Sequence, residues 1–320
     1  MSISLPTLSN STCLRADRPQ HGRFQEFYQC DADIVGDSSL WQEVEMIYLY
    51  DKAFSDLKIK GLTLKVNHRK ILSGIASLLG AESKLIEFTI ALDKLDKIGR
   101  NGVLNELIKK DFSKDSLKIL EKLLKLDGSI KHQISILKEL LSSHKKGLEG
   151  LSELEFTLNQ FNDNQLKSIK LQFDLTLARG LHYYTGIIVE VTAPEKVKMG
   201  SIGGGGRYDN LTSAFGLKNM SGIGISFGFE RIYLVMDQLG LFPKTLSYQT
   251  KVLFANFGVE AVKIIFPYLD QLRNQNISCE LYPIESKLKK QLGYANSKGI
   301  QKVILIGSEE LEQNSFILKT

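Results

Sequence analysis

Residues 13–36 read Cys-Leu-Arg-Ala-Asp-Arg-Pro-Gln-His-Gly-Arg-Phe-Gln-Glu-Phe-Tyr-Gln-Cys-Asp-Ala-Asp-Ile-Val-Gly. The stretch divides into two short strands around a charged turn, Arg18 to Arg23, punctuated by Pro19 and Gly22. From Phe24 onward the period is two: Phe24, Tyr28, Cys30, Ala32 and Ile34 fall on one face, and Gln25, Gln29, Asp31 and Asp33 on the other. Before the turn, Arg15 and Asp17 also share a face. Paired as an antiparallel hairpin, the ribbon is expected to turn one apolar side to a core and to gather Arg15, Asp17, Gln29 and Asp33 into a polar floor. Water alone satisfies such a face in many half-exposed hairpins. Here Arg15, Arg18 and Arg23 flank carboxylates and amides, a set that suits a bound anion beside a cationic or hydrogen-bonding ligand.

Residues 1–12, by contrast, are small and polar and carry no strong pattern. After the hairpin, Leu40, Val44, Ile47 and Tyr48 predict a helix within 37–56, and Leu62, Leu64 and Val66 alternate as a strand. His68 and Arg69 open a further helix, with His68 expected as a hydrogen-bonded structural residue rather than a ligand. From Glu82 to about Lys170 proline is absent, and Leu, Lys and Glu recur at helical spacing, as at Leu117, Leu120, Leu123 and Leu124. This all-helical block has a lysine excess: Lys109, Lys110, Lys114, Lys118, Lys122, Lys125, Lys131, Lys138, Lys145 and Lys146 outnumber the nearby acids Asp111, Asp115, Glu121, Asp127 and Glu139. Such faces are usually just solvated, though a basic helical appendage also suits nucleic-acid phosphates.

Strand alternation returns at Leu171, Phe173, Leu175 and Leu177, and Arg179 follows at a glycine turn. Ile187 to Thr192 is another strand. The run Gly203-Gly204-Gly205-Gly206 reads as a flexible turn, since no Gly-Lys-Ser/Thr follows to make a phosphate loop. In Gly222 to Ile232, Ile223, Ile225, Phe227 and Phe229 face one way and Gly222, Gly224, Ser226 and Gly228 the other. A strand face of minimal side chains suits something flat lying on the backbone, such as a nucleotide base with Arg231 reaching its phosphates; close packing by a helix is the alternative. Past a linker at about 240–250 containing Pro243, strands at 252–257, 278–282 and 303–307 alternate with helices at 259–274 and 285–298. That order predicts a small parallel-sheet domain, with Phe316 to Lys319 as a further strand.

At 320 residues, length suggests two or three domains, and 43% hydrophobic content is enough for real cores. A net charge of +5 permits a nucleic-acid partner without requiring one. Cys13, Cys30 and Cys279 lie far apart with no CxxC pair, which argues against zinc and disulfides and for a reducing compartment. With no secretory segment and no apolar run long enough to span a membrane, a cytoplasmic protein is expected.

Taken together, and over nearly the whole chain after about residue 13, these segments resemble histidyl-tRNA synthetase, a class II aminoacyl-tRNA synthetase. The hairpin is similar to the family's motif 2, Ala178 to Gly186 to its histidine signature, and Gly224 to Arg231 to its motif 3. Phe27 to Gly36 and Gly203 to Asp209 are also highly family-like. The resemblance implies an α+β fold: a class II antiparallel-sheet catalytic core in two parts, 1–82 and 171–240, a helical insertion at 83–170, and a C-terminal α/β anticodon-binding domain at 250–320.

It further implies ATP- and Mg2+-dependent activation of L-histidine to histidyl-adenylate and transfer to tRNA(His), in a homodimer, with no metal held by the chain's own residues. Arg15, Arg179 and Arg231 would be catalytic; Arg15, Asp17, Arg23, Gly228 and Arg231 would hold ATP; Gln29, Asp33, Arg179, Tyr183 and Tyr184 would hold histidine. A carboxylate and a phenol on the two imidazole nitrogens would discriminate against apolar isosteres. Motif 1, which builds the family's dimer interface, and the early loop that supplies a carboxylate for the substrate α-amino group have no counterpart, and the last domain ends early. An incomplete core sheet with exposed apolar surface is therefore expected. His182 replaces the usual Asp or Asn of the signature. The competing implication is a non-catalytic relative, a regulatory or histidine- and tRNA-binding protein.

Overall fold

The computed structural model describes residues 4–162, 165–180, 183–243 and 250–320. The chain divides into two compact units, one ending at Leu241 and one starting at Phe242.

The first unit is built on a seven-stranded sheet in the order β1-β2-β7-β6-β5-β3-β4. The strands are β1 (Leu5–Leu14), β2 (Glu26–Val35), β3 (Leu62–His68), β4 (Ile169–Phe173), β5 (Ile187–Thr192), β6 (Ser201–Arg207) and β7 (Gly222–Gly228). All neighbours are antiparallel except β3 and β4. The helices are α1 (Trp41–Asp56), α2 (Arg69–Leu78), α3 (Leu85–Asp93), α4 (Leu95–Ile108), α5 (Lys114–Leu123), α6 (Ile130–Leu140), α7 (Lys145–Leu158) and α8 (Phe229–Gln238).

One face of the sheet is covered by α1. Its buried residues Val44, Ile47, Tyr50, Asp51 and Phe54 recur at helical spacing, so one stripe meets the sheet. Tyr50 stacks on Phe54 at 5.8 Å, meets the edge of Phe227 at 4.9 Å and donates its hydroxyl to the Ser226 carbonyl at 2.9 Å. The Asp51 carboxylate accepts backbone N–H bonds from Lys167, Ser168 and Ile169, which fixes the start of β4 against the helix. The helical block shares one apolar core with the sheet, including Phe88, Leu107, Leu120, Leu137 and Leu154. Its α7 crosses α2 at small residues: a Cβ on Gly74 would lie 2.9 Å from the Gly147 backbone. There His68 is buried and structural, as expected. Its Nδ1 accepts the Lys70 N–H that opens α2, and its Nε2 lies 2.7 Å from Glu153 on α7.

The second unit carries β8 (Val252–Phe254), α9 (Val259–Asn274), β9 (Cys279–Leu281), α10 (Leu288–Lys298), β10 (Lys302–Leu305), α11 (Ser308–Glu312) and β11 (Ile317–Lys319). Its sheet runs β11-β10-β8-β9, with β8 parallel to β9 and β10 and β11 antiparallel at the edge. Val252 and Phe254 pack on one apolar cluster and Leu253 and Ala255 on another, as a strand covered on both faces requires.

Four expectations change. The glycine run is not a turn but β6, the middle of the seven-stranded sheet. The patternless N-terminus is β1, paired with β2 from Leu5↔Val35 to Leu14↔Glu26. Both faces of β1 are open, leaving Leu8 76% and Leu14 77% exposed, so burial imposes no period on its sequence. Leu175 and Leu177 fall outside β4, because the Asp174 carboxylate takes the Thr176 N–H and hydroxyl and turns the chain. Phe229 opens α8 instead of ending the strand.

Candidate active site

The polar face of β2 and the small-residue face of β7 form the floor of a cleft of about 490 Å³. It is lined by Arg15, Asp17, Arg23, Gln29, Arg179, Tyr183, Tyr184, Ser201, Gly204, Ser226, Gly228, Glu230 and Arg231, among others. Register explains the floor. Gln29 lies opposite Gly228, Asp31 opposite Ser226 and Asp33 opposite Gly224. On the next strand Ser226 lies opposite Gly204 and Gly224 opposite Gly206. A register shift between Val191 and Thr192 then brings Ser201 opposite Thr192.

The glycines are clearances for named side chains. A Cβ on Gly204 would lie 2.6 Å from Arg179 Nη1, one on Gly206 3.0 Å from the Tyr184 ring, and one on Gly224 1.9 Å from Asp33 Oδ1. Gly222 is likewise covered by Tyr208. Side chains of the same sheet therefore occupy the inner part of the glycine face. On β7 the outer end, at Ser226 and Gly228, opens into the cleft, and on β6 Gly204 lines it beside Arg179.

Four arginines crowd the other side. Arg179 donates to Ser201 Oγ at 2.9 Å and pairs with Glu190 of β5 at 2.5 Å. Arg231 donates from Nε to the Gly22 carbonyl and from Nη1 to the Ser201 carbonyl, both at 2.6 Å, so it ties the charged turn to β6. Burial and then the neighbouring Arg179 and Arg23 pull the Arg231 pKa down, with Arg15 adding to the effect. Accumulated positive charge of that kind favours an anion. Arg15 closes the hairpin through its N–H to the Gln25 carbonyl at 2.8 Å and lies 4.9 Å over the Phe27 ring. Arg23 is held by Asp17 at 2.9 Å. Arg18 does not line the cleft.

Beyond the cleft's inner end the groups are neutral or acidic. Tyr208 donates its hydroxyl to Asp33 Oδ1 at 2.5 Å. Burial raises the Asp33 pKa, the Tyr208 bond opposes that rise and Asp31 adds to it. Burial also raises the Tyr184 phenol, reinforced by Tyr183, so it stays a neutral donor near pH 7. The Tyr183 ring lies 4.3 Å away, 45% exposed at the cleft mouth. The backbone bend beneath this pair is Gly180, at φ +62°, where a Cβ would fall 1.9 Å from the Tyr184 ring.

With that geometry, the chain matches the family model described as histidyl-tRNA synthetase over residues 7–232. It is 53% identical over 305 residues to the histidine–tRNA ligase of Christiangramia forsetii. The chain belongs to the histidyl-tRNA synthetase family. Residues 252–320 match the model described as an anticodon binding domain. The Flavobacterium johnsoniae histidine–tRNA ligase is 52% identical. These alignments cover 95% of this chain but 67% and 64% of the two relatives, so the chain spans about two thirds of their length. Among solved structures, a histidyl-tRNA synthetase from Nostoc sp. PCC 7120 superposes with a TM-score of 0.72 at 26% identity, over 98% of this chain and 75% of that one. A Bacillus halodurans protein described as an ATP phosphoribosyltransferase regulatory subunit/histidyl-tRNA synthetase shares the fold, with a TM-score of 0.68 at 21% identity over 95% of this chain and 74% of that one.

Of the residues that the histidyl-tRNA synthetase resemblance singled out, Arg15, Asp17, Arg23, Gln29, Arg179, Tyr183, Tyr184, Gly228 and Arg231 all line one cleft. Asp33 is set back from that lining, under Tyr208. His182 lies outside the described residues. Sequence reasoning passed over Tyr208, Glu190 and Ser201. Tyr208 had a signal, since it closes the family-like Gly203–Asp209 run. Glu190 had only an alternation of Ile, Val and Val around a lone acid. Among the described residues no helix is long and apolar enough to cross a membrane.

Proposed function

We propose that this chain carries the site of a histidine–tRNA ligase, joining L-histidine to ATP as histidyl-adenylate and passing the histidyl group to tRNA(His). The observation that carries the proposal is the polarity of one cleft. Four arginines stand at one end, and at the other the Tyr184 phenol lines the cleft over the glycines, with the Asp33 carboxylate set back from the lining. A polyphosphate suits the first and an imidazole the second.

In the reaction the histidine carboxylate attacks the α-phosphorus of ATP and the bond to pyrophosphate breaks. Negative charge builds on the phosphoryl oxygens, so fixed donors matter more than a general base. Arg15 and Arg179 would stabilise the α-phosphate and Arg231 the γ-phosphate end. Asp17, oriented by Arg23, would take the adenine edge, with Gly228 leaving room for the nucleotide. Gln29, Asp33, Tyr183 and Tyr184 would hold histidine. Tyr184 as donor and Asp33 as acceptor can satisfy the two nitrogens of a neutral imidazole.

Among the described residues no three His, Cys, Asp or Glu side chains converge as a metal site. A magnesium ion would come in on the ATP phosphates, with most of its remaining ligands waters. Such an ion would neutralise the departing pyrophosphate.

The helical block, with its exposed lysines, would meet the acceptor end of the tRNA, and residues 250–320 the anticodon. A homodimer in the cytoplasm completes the proposal. Histidine-dependent ATP–pyrophosphate exchange, measured on the chain after a thermal melt confirms folding, is the test. Exchange above the histidine-free background supports a ligase. A folded chain that binds histidine or tRNA without exchange would make it a non-catalytic relative.

A further inference from the structure

Arg179 is supported twice, and both supports come from one face of β3. Lys65 and Asn67 lie two residues apart on that strand and therefore share a face. Register sets Lys65 opposite Glu190 of β5, and Glu190 opposite Gly204 of β6, against which the Arg179 guanidinium rests. Burial raises the Glu190 pKa, while Arg179 and then Lys65 lower it, as cations on either side would. This first support holds the head of the side chain.

The second acts on the backbone. β4 follows β3 only as far as Phe173, opposite Val66, and the Asp174 N–H makes one further bond, to the Val66 carbonyl at 2.9 Å. Residues 174–178 then leave the sheet and lead straight into Arg179. Carbonyls that leave a ladder inside a protein need donors from elsewhere. Asn67, fully buried, supplies them: its Nδ2 donates to the Leu175 carbonyl at 3.1 Å and to the Leu177 carbonyl at 2.8 Å. Its Oδ1 accepts the His68 N–H at 2.8 Å, so both ends of the amide are used and its orientation is set. Asp174 closes the same turn, taking the Thr176 N–H and hydroxyl on Oδ1 and Lys65 Nζ on Oδ2 at 2.9 Å. The nearer of the two carbonyls that Asn67 holds lies two residues before Arg179.

We propose that Asn67 is a positioning residue for adenylate formation: it touches no substrate, and it holds the Leu175 and Leu177 carbonyls so that the backbone aims Arg179 at the α-phosphate. This assignment rests on the ligase reading of the cleft. A buried asparagine that served stability alone would hold the same turn, and the two roles part in the kinetics.

Histidine-dependent ATP–pyrophosphate exchange by the full chain, with kcat counted per folded molecule, separates them. Asn67→Asp keeps the size and the bond from His68 but turns an acceptor toward the two carbonyls. It is expected to lower kcat about 10- to 100-fold, the usual cost of a misplaced reacting group, with the KM for histidine and for ATP within about two-fold of the parent. In an Arg179→Ala background the same change should lower kcat by less than about two-fold, because no guanidinium is left to aim. If Asn67→Asp fails to fold by thermal melt, Asn67→Ser, which removes both carbonyl bonds without adding a charge, replaces it in both backgrounds. An equal fold-loss in the two backgrounds, or a lower melting temperature with the parent kcat, overturns the assignment while the ligase reading stands. A folded parent chain with no histidine-dependent exchange removes both.

Discussion

Arg179 is held on three sides, by Glu190, by Ser201 Oγ and by the bare backbone of Gly204. A lysine cannot reproduce that forked geometry. Arg179→Lys is therefore expected to lower histidine-dependent exchange by about 10²- to 10³-fold, the usual loss for one transition-state donor, with a nearly unchanged melting temperature. Exchange at the parent rate would take Arg179 out of the chemistry. Gly224→Ala is a sharper probe of the inner end, because the added methyl would fall 1.9 Å from Asp33 Oδ1. Histidine binding should weaken on the order of 100-fold, as displaced reactive geometry commonly does, while ATP binding persists; calorimetry with each ligand separates the two. At this scale much of the cleft is legible in the sequence, because arginines beside turns and a strand with a glycine face are unusual enough to notice. The family-like run marks Tyr208, but its bond to Asp33 is not legible. It is made between segments far apart in the chain, and no local pattern encodes that.

Elements are held to one another by a few buried ionic joints. Arg207 at the end of β6 is 6% exposed, and its Nε and Nη2 reach Glu43 of α1, itself 1% exposed, at 2.5 and 2.6 Å. Arg207→Ala strands the Glu43 carboxylate and should cost about 3–5 kcal/mol, read as a lower urea midpoint; a loss under about 1 kcal/mol would show that the joint is solvated in solution. The joint between α2 and α7 is pH-sensitive. Burial alone would raise the Glu153 pKa, but the bonds from His68 and Lys70, and their charge, bring it down from an ordinary 4.5 to about 2. A folded value below the unfolded one means stability that is complete above about pH 4.5 and lost as the pH falls toward 2. Up to about 3 kcal/mol is at stake, and Glu153→Gln should flatten the acid limb of a stability–pH curve; an identical limb would refute the coupling. Periodicity finds α1, α9, β5 and β7 because each has one apolar face or stripe. It misses β6, whose four glycines have no side chain to alternate, and β1, whose open faces leave nothing to select an alternation.

At the scale of the molecule, each of the two units has an apolar core of its own. Ending the chain after Leu241 is expected to leave exchange in place and to lower tRNA charging by at least an order of magnitude; undiminished charging would mean that residues 250–320 do not read the tRNA. The sheet of the first unit is joined in a non-local way. β2 finds its inner partner only in β7, where Val35 meets Gly222, and the whole helical block lies between them in the chain. During synthesis from the N-terminus, at roughly 5–20 residues per second, the finished hairpin waits on the order of ten to forty seconds for that partner to leave the ribosome. Through that interval β2 presents an unpaired edge and Ala32 and Ile34, later buried, stand in water. Whatever covers that edge in the interval meets residues of the candidate site before any substrate does.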